Sequence, residues 1–274
     1  MIENIKYATI SQIYVKDLKF YSHENEKDLI TLCSELGISF IPDKDRNTIY
    51  KLIDNKFVKS KLTEDLKCNP YDRIFDIETL NKFEKGNHDE VLFVIDNNKI
   101  KGVVHIVDYN NEFIYFEFYK LIFHFEKNLR DLLIKFNETN DNLIEWMLER
   151  SKLSSNNTTR EFWNKRYEQC MPNDSKKRGN LIKKRRECSP FQTFYLNDLL
   201  HYSCSKGYIS QVVKKNIDAI NKVRNWVAHN QEIISKNESK IEIPLYNIDG
   251  LKKFIIDANL FFEAYEEVET RLNE

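Results

Sequence analysis

The chain has 274 residues, a formal net charge of −1 at pH 7, and 41% hydrophobic and 13% aromatic residues. This length and apolar content exclude a disordered polypeptide and are sufficient for one large or two ordinary folded domains. The near-zero net charge excludes a global electrostatic field that attracts nucleic acid, so binding of that kind must depend on a local basic patch.

Targeting and cysteine patterns favour a cytoplasmic protein without a membrane span. No run of about 18 apolar residues is present, and the first residues lack the basic-then-apolar layout of a signal peptide. The five cysteines are far apart and form no Cys-x-x-Cys pair. We therefore expect reduced thiols with structural roles and no metal cluster.

The N-terminal part of the chain contains short β-rich segments in an order that occurs twice. A strand, a tight turn and a second strand are predicted at residues 91–95, 96–98 and 99–108. A helix followed by the same order is predicted at residues 26–36, 38–41, 43–47 and 48–53, ending at Asp54. The two copies are about 54 residues apart, which indicates an internal duplication.

This duplicated pattern resembles a pair of CBS domains, a module that commonly binds adenosine-containing nucleotides between its repeats. The family closes a repeat with Gly-x-x-Thr/Ser-x-x-Asp, in which the Asp binds ribose hydroxyls and the hydroxyl residue contacts phosphate. Gly102 and Asp108 match this run, His105 stands in the hydroxyl position, and Asp54 remains from the run of the first repeat. The resemblance implies a regulatory module with an adenine nucleotide as ligand. A degenerate scaffold or dimerisation unit is the alternative.

Beyond residue 112 the hydrophobic period changes from about 2 to about 3.6, which predicts a domain boundary and a helical bundle over residues 113–274. The first and last helices carry apolar stripes suited to an antiparallel bundle. The stripe residues are Phe118, Leu121, Ile122, Phe125, Leu129, Leu132, Leu133 and Phe136, then Leu251, Phe254, Ile255, Ala258, Phe261, Phe262, Tyr265 and Val268. The other helices are predicted at residues 142–150, 159–170, 191–204 and 211–228.

The segment Arg224-Asn225-Trp226-Val227-Ala228-His229 lies at the end of a predicted helix. Val213, Ile217 and Ile220 are spaced as a buried stripe, and Arg224 occupies the next position on it. Because a buried guanidinium needs a counter-charge, we expect Arg224 to face a carboxylate, a subunit interface or an anionic ligand. A helix-end Arg and a surface His without a function are the alternative.

This segment resembles the signature of the HEPN superfamily, whose ribonuclease members carry Arg, a polar residue (often Asn), three further residues and then His. Arg224, Asn225 and His229 match that signature at the family's commonest spacing. The stretches Phe125-Glu126 and Leu129-Arg130 resemble the family's first helix. Glu126 and Arg130 either support the site or form a simple i, i+4 ion pair.

The HEPN resemblance implies cleavage of RNA without a metal cofactor, since no paired acidic motif lies near the Arg–His element. His229 would move the proton of the substrate 2′-hydroxyl, Arg224 would stabilise charge on the phosphorane oxygens, and Asn225 would position a phosphate or the imidazole. On a regular helix Arg224 and His229 lie about 140° apart. Family members meet this requirement by dimerising, so we expect a homodimer with a composite site.

A concentrated basic segment lies between Met171 and Pro190, and we expect it to be a flexible loop that binds RNA phosphates. Its cations are Lys176, Lys177, Arg178, Lys183, Lys184, Arg185 and Arg186. The neighbouring Phe191, Phe194 and Tyr195 either stack on unpaired bases or belong to the core. A solvated loop without a ligand is the alternative.

The predicted fold is therefore α+β, with a CBS-like α/β module over residues 1–112 followed by an all-α helical bundle of HEPN type over residues 113–274. The expected function is that of an endoribonuclease, acting as a growth-arresting toxin or antiviral effector under the control of its N-terminal module. A non-catalytic nucleotide-sensing or scaffold protein is the alternative function.

Overall fold

The computed structural model describes residues 2–36, 38–85, 91–229, 231–234 and 248–274. Its fold is α+β, as predicted, with the strands in the N-terminal part and a helical C-terminal region. The α-helices are α1 (Ile2–Lys6), α2 (Glu26–Leu36), α3 (Ile77–Lys85), α4 (Glu112–Lys135), α5 (Asn140–Leu153), α6 (Asn157–Cys170), α7 (Ser175–Glu187), α8 (Leu196–Lys206), α9 (Gln211–Lys215), α10 (Ile217–Ala228) and α11 (Ile248–Asn273). Across the described ranges, none of these helices combines the length and apolar character needed to cross a membrane.

The strands form two small sheets. They are β1 (Phe40–Pro42), β2 (Ile49–Ile53), β3 (Lys56–Ser60), β4 (Lys67–Cys68), β5 (Val91–Asp96) and β6 (Lys99–His105). In the first sheet β1, β2 and β3 pair antiparallel in chain order. In the second sheet β4 runs parallel to β5, and β5 pairs antiparallel with β6.

Both hairpins depend on turn residues that tolerate left-handed backbone. Asn97 and Asn98 have φ of 51° and 58° between β5 and β6, while Asp54 and Asn55 have φ of 47° and 58° between β2 and β3. Two consecutive left-handed residues match the twist of antiparallel strands, as in type I′ turns. The predicted strand, turn and strand are confirmed over residues 91–105, whereas residues 106–108, predicted as part of the second strand, belong to a short 3-10 turn. The sequence did not predict β3, because the turn at Asp54 was interpreted as the end of a repeat.

The chain divides into two compact units. The first consists of Met1–Lys120 and Val223–Asn259, and the second of Leu121–Lys222 and Leu260–Glu274. The boundary predicted between residues 112 and 113 coincides with the start of α4, whose first residues belong to the first unit. The assignment of regulatory and ribonuclease domains to the two sides of that boundary stays a prediction.

Within the first unit, side-chain contacts hold the C-terminal end of α10, the helix that carries the predicted Arg–Asn–His motif. The Trp226 ring contacts the rings of Tyr115, Phe118 and Phe254 at centroid distances of 5.9, 5.9 and 4.7 Å. The Asn110 side chain accepts from the backbone N–H groups of Ile233 and Ile234 at 2.7 and 3.0 Å and donates to the Ile234 carbonyl at 3.0 Å. These contacts fix the backbone on both sides of the predicted Arg–His motif.

The second unit is helical, and its core follows the predicted apolar stripes. Every stripe residue predicted on α4 and α11 is buried except Phe136, which lies one residue beyond α4 and is 42% exposed. Within the second unit the Phe125 ring packs on Phe261 at 5.2 Å and on Tyr265 at 6.1 Å. The period of 3.6 residues therefore identified the buried face of both long helices.

Three predictions of local structure in the helical region were wrong. The helix predicted over residues 191–204 begins only at Leu196, as α8, and residues 191–195 form a turn. The segment predicted as one helix over residues 211–228 is interrupted at Asn216, which separates α9 from α10. The basic segment predicted as a flexible loop is the helix α7, whose side-chain cap comes from Asp174 accepting from the Lys177 N–H at 2.7 Å. Hydrophobic periodicity could not identify α7, because this helix has no fully buried residue and hence no apolar stripe.

Candidate functional site

The predicted Arg–Asn–His motif lies at the C-terminal end of α10, and the helix ends at Ala228, immediately before His229. The His229 N–H still bonds to the Asn225 carbonyl at 3.0 Å, whereas the Gln231 N–H bonds to the Trp226 carbonyl at 3.0 Å. The latter bond spans one residue more than an α-helical bond, as in a Schellman-type helix end. The regular α-helix that contains Arg224 therefore does not continue beyond His229.

The side chains of the motif are on the accessible side of this helix end. Asn225 and His229 are exposed and Arg224 is half-buried, while the apolar stripe passes through Val223 and Val227. Arg224 was predicted to lie on the buried stripe. It lies instead at the edge of that stripe, so this prediction was wrong. Nη1 of Arg224 donates to Oδ1 of Asn225 at 3.4 Å. A cation, an amide and an imidazole consequently meet solvent within two turns of one helix end.

Glu126 and Arg130 form the ion pair that the sequence allowed as one of two interpretations. Nη2 of Arg130 lies 2.9 Å from Oε2 of Glu126 on α4, and both side chains are 21% exposed. An i, i+4 pair of this kind stabilises a helix by only about 0.2–0.5 kcal/mol. The pair belongs to the second unit, whereas Arg224 and His229 belong to the first.

The nucleotide-binding residues predicted within β6 and in the turn after it contact the chain itself. Val15 and Val103 exchange backbone hydrogen bonds at 2.8 and 3.1 Å, so residues 14–15 run antiparallel beside β6. A Cβ atom added to Gly102 would overlap the Tyr14 ring and the Val15 carbonyl oxygen. This close approach of backbone and ring is a sufficient structural reason for glycine at this position.

His105 and Asp108 cap the short 3-10 turn Ile106–Asn110 that follows β6. Oδ2 of Asp108 accepts from the His105 N–H at 2.8 Å, and Nδ1 of His105 accepts from the Val107 N–H at 3.1 Å. Burial lowers the pKa of His105 to about 4 and raises the pKa of Asp108 to about 6. At neutral pH an uncharged imidazole therefore lies beside a carboxylate that the fold holds at an energetic cost.

Asp54 is exposed in the turn between β2 and β3, not at the end of a strand repeat. A surface cavity beside this turn is lined by Asn55, Lys56 and the start of α2. The α2 side of the cavity carries Glu24, Glu26 and Asp28. Because Lys27 and Lys56 line the same cavity, its charges nearly balance, and the lining provides no strong attraction for the phosphates of a nucleotide.

The basic helix α7 presents its cations unequally. Arg178 and Arg185 are half-buried, and Arg185 donates from Nη2 to the Cys170 carbonyl at 2.8 Å while its guanidinium lies 5.5 Å from the centre of the Phe194 ring. The exposed cations are Lys176, Lys177, Lys183, Lys184 and Arg186. Of the seven predicted phosphate-binding cations, Arg185 thus holds the helix in place, Arg178 is half-buried, and the other five face solvent.

A buried ion pair in the second unit was not found from the sequence. Arg166 and Asp198 are 8% and 0% exposed, and Nε of Arg166 donates to Oδ1 of Asp198 at 3.0 Å, with a further contact between Nη2 and Oδ2. The Asp198 carboxylate also accepts from the Tyr195 N–H at 3.0 Å. The hydrogen bonds to Asp198 raise the pKa of Arg166 against the opposing effect of its burial. A separation of 32 residues gave no signal that could have paired them.

Of the three aromatic residues that follow α7, Phe191 and Phe194 are core residues, at 0% and 3% exposure, whereas Tyr195 is 63% exposed. Among the described residues, no group of three or more His, Cys, Asp or Glu side chains is placed to hold a metal ion. Comparison of the chain with family models, curated proteins and solved structures finds no match.

Proposed function

We propose that this protein is an endoribonuclease of the HEPN type, with Arg224, Asn225 and His229 as its catalytic residues. The observation that carries the proposal is the helix end itself, which exposes an imidazole one turn beyond a guanidinium and an amide in mutual contact. A buried or internally bonded His229 would have made proton exchange with a substrate impossible. The proposal needs no further group from the chain for acid–base chemistry.

In the proposed reaction the substrate 2′-hydroxyl oxygen attacks the adjacent phosphorus and the bond from phosphorus to the 5′-oxygen breaks. His229 accepts the 2′-hydroxyl proton, and the imidazolium formed then donates a proton to the leaving 5′-oxygen, which gives a 2′,3′-cyclic phosphate and a 5′-hydroxyl. The Arg224 guanidinium stabilises the additional negative charge on the phosphorane oxygens. Asn225, already bonded to Arg224, orients that guanidinium or a substrate phosphate.

The site is proposed to be composite and to form in a homodimer. An exposed aromatic surface supports this, because Phe116 and Tyr119 on α4 are 57% and 58% exposed. The residue before Phe116, Tyr115, hydrogen-bonds through its hydroxyl to the Val227 carbonyl, inside the motif. Large exposed aromatic side chains next to a proposed site favour burial against a second copy of the chain.

RNA is the proposed substrate, and α7 is its proposed electrostatic contact. Five exposed cations on a polar helix supply the local basic patch that a chain of net charge −1 lacks globally. A ribonuclease of this type harms its own cell when it is always active, so we propose a toxin or antiviral effector that is controlled by the N-terminal module, with an adenine nucleotide as the candidate ligand.

The test is incubation of the purified protein with single-stranded RNA in EDTA. We expect His229→Ala and Arg224→Ala to reduce cleavage by about 10²- to 10⁴-fold, because general acid–base and charge-stabilising groups contribute effects of that size. His23→Ala is the matched control, since the His23 side chain is 89% exposed and should leave cleavage unchanged. Equal cleavage by wild type and His229→Ala would refute the proposal.

The composite site is tested separately by mixing the two inactive variants. In a heterodimer of Arg224→Ala and His229→Ala copies, one composite site retains both native side chains, so mixing restores part of the activity. Sites built within single copies would stay inactive after mixing.

A non-catalytic scaffold is the second candidate function. It is favoured by the contacts of Gly102, His105 and Asp108 with the chain itself, which give these residues structural roles. Absence of cleavage by the wild type, with and without adenine nucleotides, would favour this function.

A further inference from the structure

We propose that Tyr195 is a stacking platform for an unpaired RNA base, which makes single-stranded RNA the substrate class that the second unit selects. The inference rests on the proposed function only in taking RNA as the ligand. It concerns a side chain far from the Arg–His motif in sequence and one that the proposed chemistry does not use.

The ring of Tyr195 is supported on one side and accessible on the other. The Arg166 guanidinium carbon lies 4.1 Å from the centre of this ring, yet Tyr195 is 63% exposed. Arg166 is itself fixed by the buried Asp198, which also accepts from the Tyr195 N–H at 3.0 Å. Ring and backbone are therefore both anchored, so a base can stack on the open face with little loss of side-chain entropy.

The basic helix α7 is anchored to the same turn of α6 as this platform. Arg166 and Cys170 are one turn apart on α6, and Arg185 of α7 donates to the Cys170 carbonyl at 2.8 Å. The Arg185 guanidinium also lies 5.5 Å from the centre of the ring of Phe194, the residue before Tyr195. The helix that carries the proposed phosphate-binding cations is thus anchored, through Arg185, beside the residues that support the exposed ring.

This pairing of groups fits a single strand better than a duplex. The cations attract any phosphodiester backbone, but an exposed ring gains contact only with a base whose face is not already stacked. In an A-form duplex the base faces are inaccessible, so Tyr195 contributes to the binding of unpaired strands alone.

The test measures binding with a fluorescent 2′-O-methylated oligoadenosine of about twelve nucleotides. The 2′-O-methyl group prevents attack by the 2′-oxygen, so binding is measured independently of cleavage. We expect Tyr195→Leu to weaken single-strand binding by about 5- to 150-fold, as for other base–aromatic stacks, and Tyr195→Phe to bind as wild type. Duplex binding should not change in either variant.

Two controls separate stacking from charge and from loss of fold. Tyr71→Leu replaces a tyrosine that is 75% exposed in the first unit and should have no effect. Replacing Lys183 and Lys184 by Gln should make the negative slope of log K against log salt shallower by about 1.4, at about 0.7 per phosphate contact. Tyr195→Leu should leave this slope unchanged. An abasic strand of the same length should bind wild type and Tyr195→Leu equally.

Unaltered binding in a folded Tyr195→Leu variant, an equal loss for single strand and duplex, or no RNA binding by the wild type would overturn the inference. Cleavage by the wild type together with unaltered binding by Tyr195→Leu would leave the ribonuclease standing without the platform. A stacking effect without any cleavage would refute the catalytic proposal and keep the platform.

Discussion

The end of α10 and the corner after β6 both carry motifs that resemble binding sites, but the fold treats their polar groups differently. At the corner, His105 and Asp108 bond to nearby backbone, and the strand-like residues 14–15 cover Gly102. At the end of α10, Asn225 and His229 are exposed to solvent. A motif whose groups are already bonded to backbone has a structural explanation, whereas an exposed imidazole at a fixed helix end is available to a substrate.

The largest expected effect is a difference in stability between variants of Arg166 and of Arg224. Arg166→Ala should destabilise the protein by about 3–5 kcal/mol, because it leaves the fully buried Asp198 carboxylate without its partner. Arg224→Ala should cost less than about 1 kcal/mol, since a half-exposed side chain loses little burial and its charge interactions are screened by solvent. Urea unfolding followed by circular dichroism measures both.

A double substitution identifies the cause of the Arg166 effect. Arg166→Met combined with Asp198→Asn removes both charges and keeps an oxygen acceptor for the Tyr195 N–H, so it should recover part of the lost stability. Equal losses of stability for the Arg166 and Arg224 single variants would contradict the distinction between a buried structural cation and an accessible functional one.

A smaller effect is expected at Gly102. Gly102→Ala should destabilise the protein by about 1–3 kcal/mol, because the added methyl group overlaps the Tyr14 ring and a backbone oxygen that cannot easily move. Gly179 on α7 is the matched control, since a Cβ there meets nothing within 4 Å. Gly179→Ala should instead stabilise the helix by about 0.5–1 kcal/mol. Thermal unfolding of the two variants should therefore shift in opposite directions.

The sequence was most informative where a periodic pattern meets a continuous core. The stripes of α4 and α11 and the hairpin of β5 and β6 were predicted because burial alone specifies those patterns. Helix α7 was missed because its position depends on a cap from Asp174 and on contacts of Arg185 with residues distant in sequence. For the same reason the pairing of Arg166 with Asp198 could not be predicted.

The candidate sites show the same limit. The spacing of Arg224, Asn225 and His229 marked the end of a helix, and α10 does end there. The local sequence could not show which cations of α7 face solvent, nor that Tyr195 alone of three neighbouring aromatic residues is exposed. Side-chain exposure depends on the packing of α6, α7 and α8, which no short motif encodes.

The smallest expected effect is the pH dependence of stability, which has opposite signs for His105 and Asp108. Burial raises the pKa of Asp108 to about 6, so its contribution to stability is present below its unfolded pKa and is lost as the pH rises through about 6. Burial lowers the pKa of His105 to about 4, so its contribution is present above its unfolded pKa and is lost as the pH falls through about 4.

Asp108→Asn should therefore gain stability relative to wild type, by about 1 kcal/mol after allowance for solvent screening, when the pH rises from about 4 to about 7.5. His105→Asn, whose Oδ1 can replace Nδ1 as acceptor for the Val107 N–H, should gain relative stability when the pH falls over the same range. Chemical denaturation at the two pH values measures both differences. If adenine nucleotide bound through Asp108, saturating AMP would protect wild type more than Asp108→Asn. We instead expect AMP to protect wild type and Asp108→Asn equally, because the Asp108 carboxylate already caps the turn after β6.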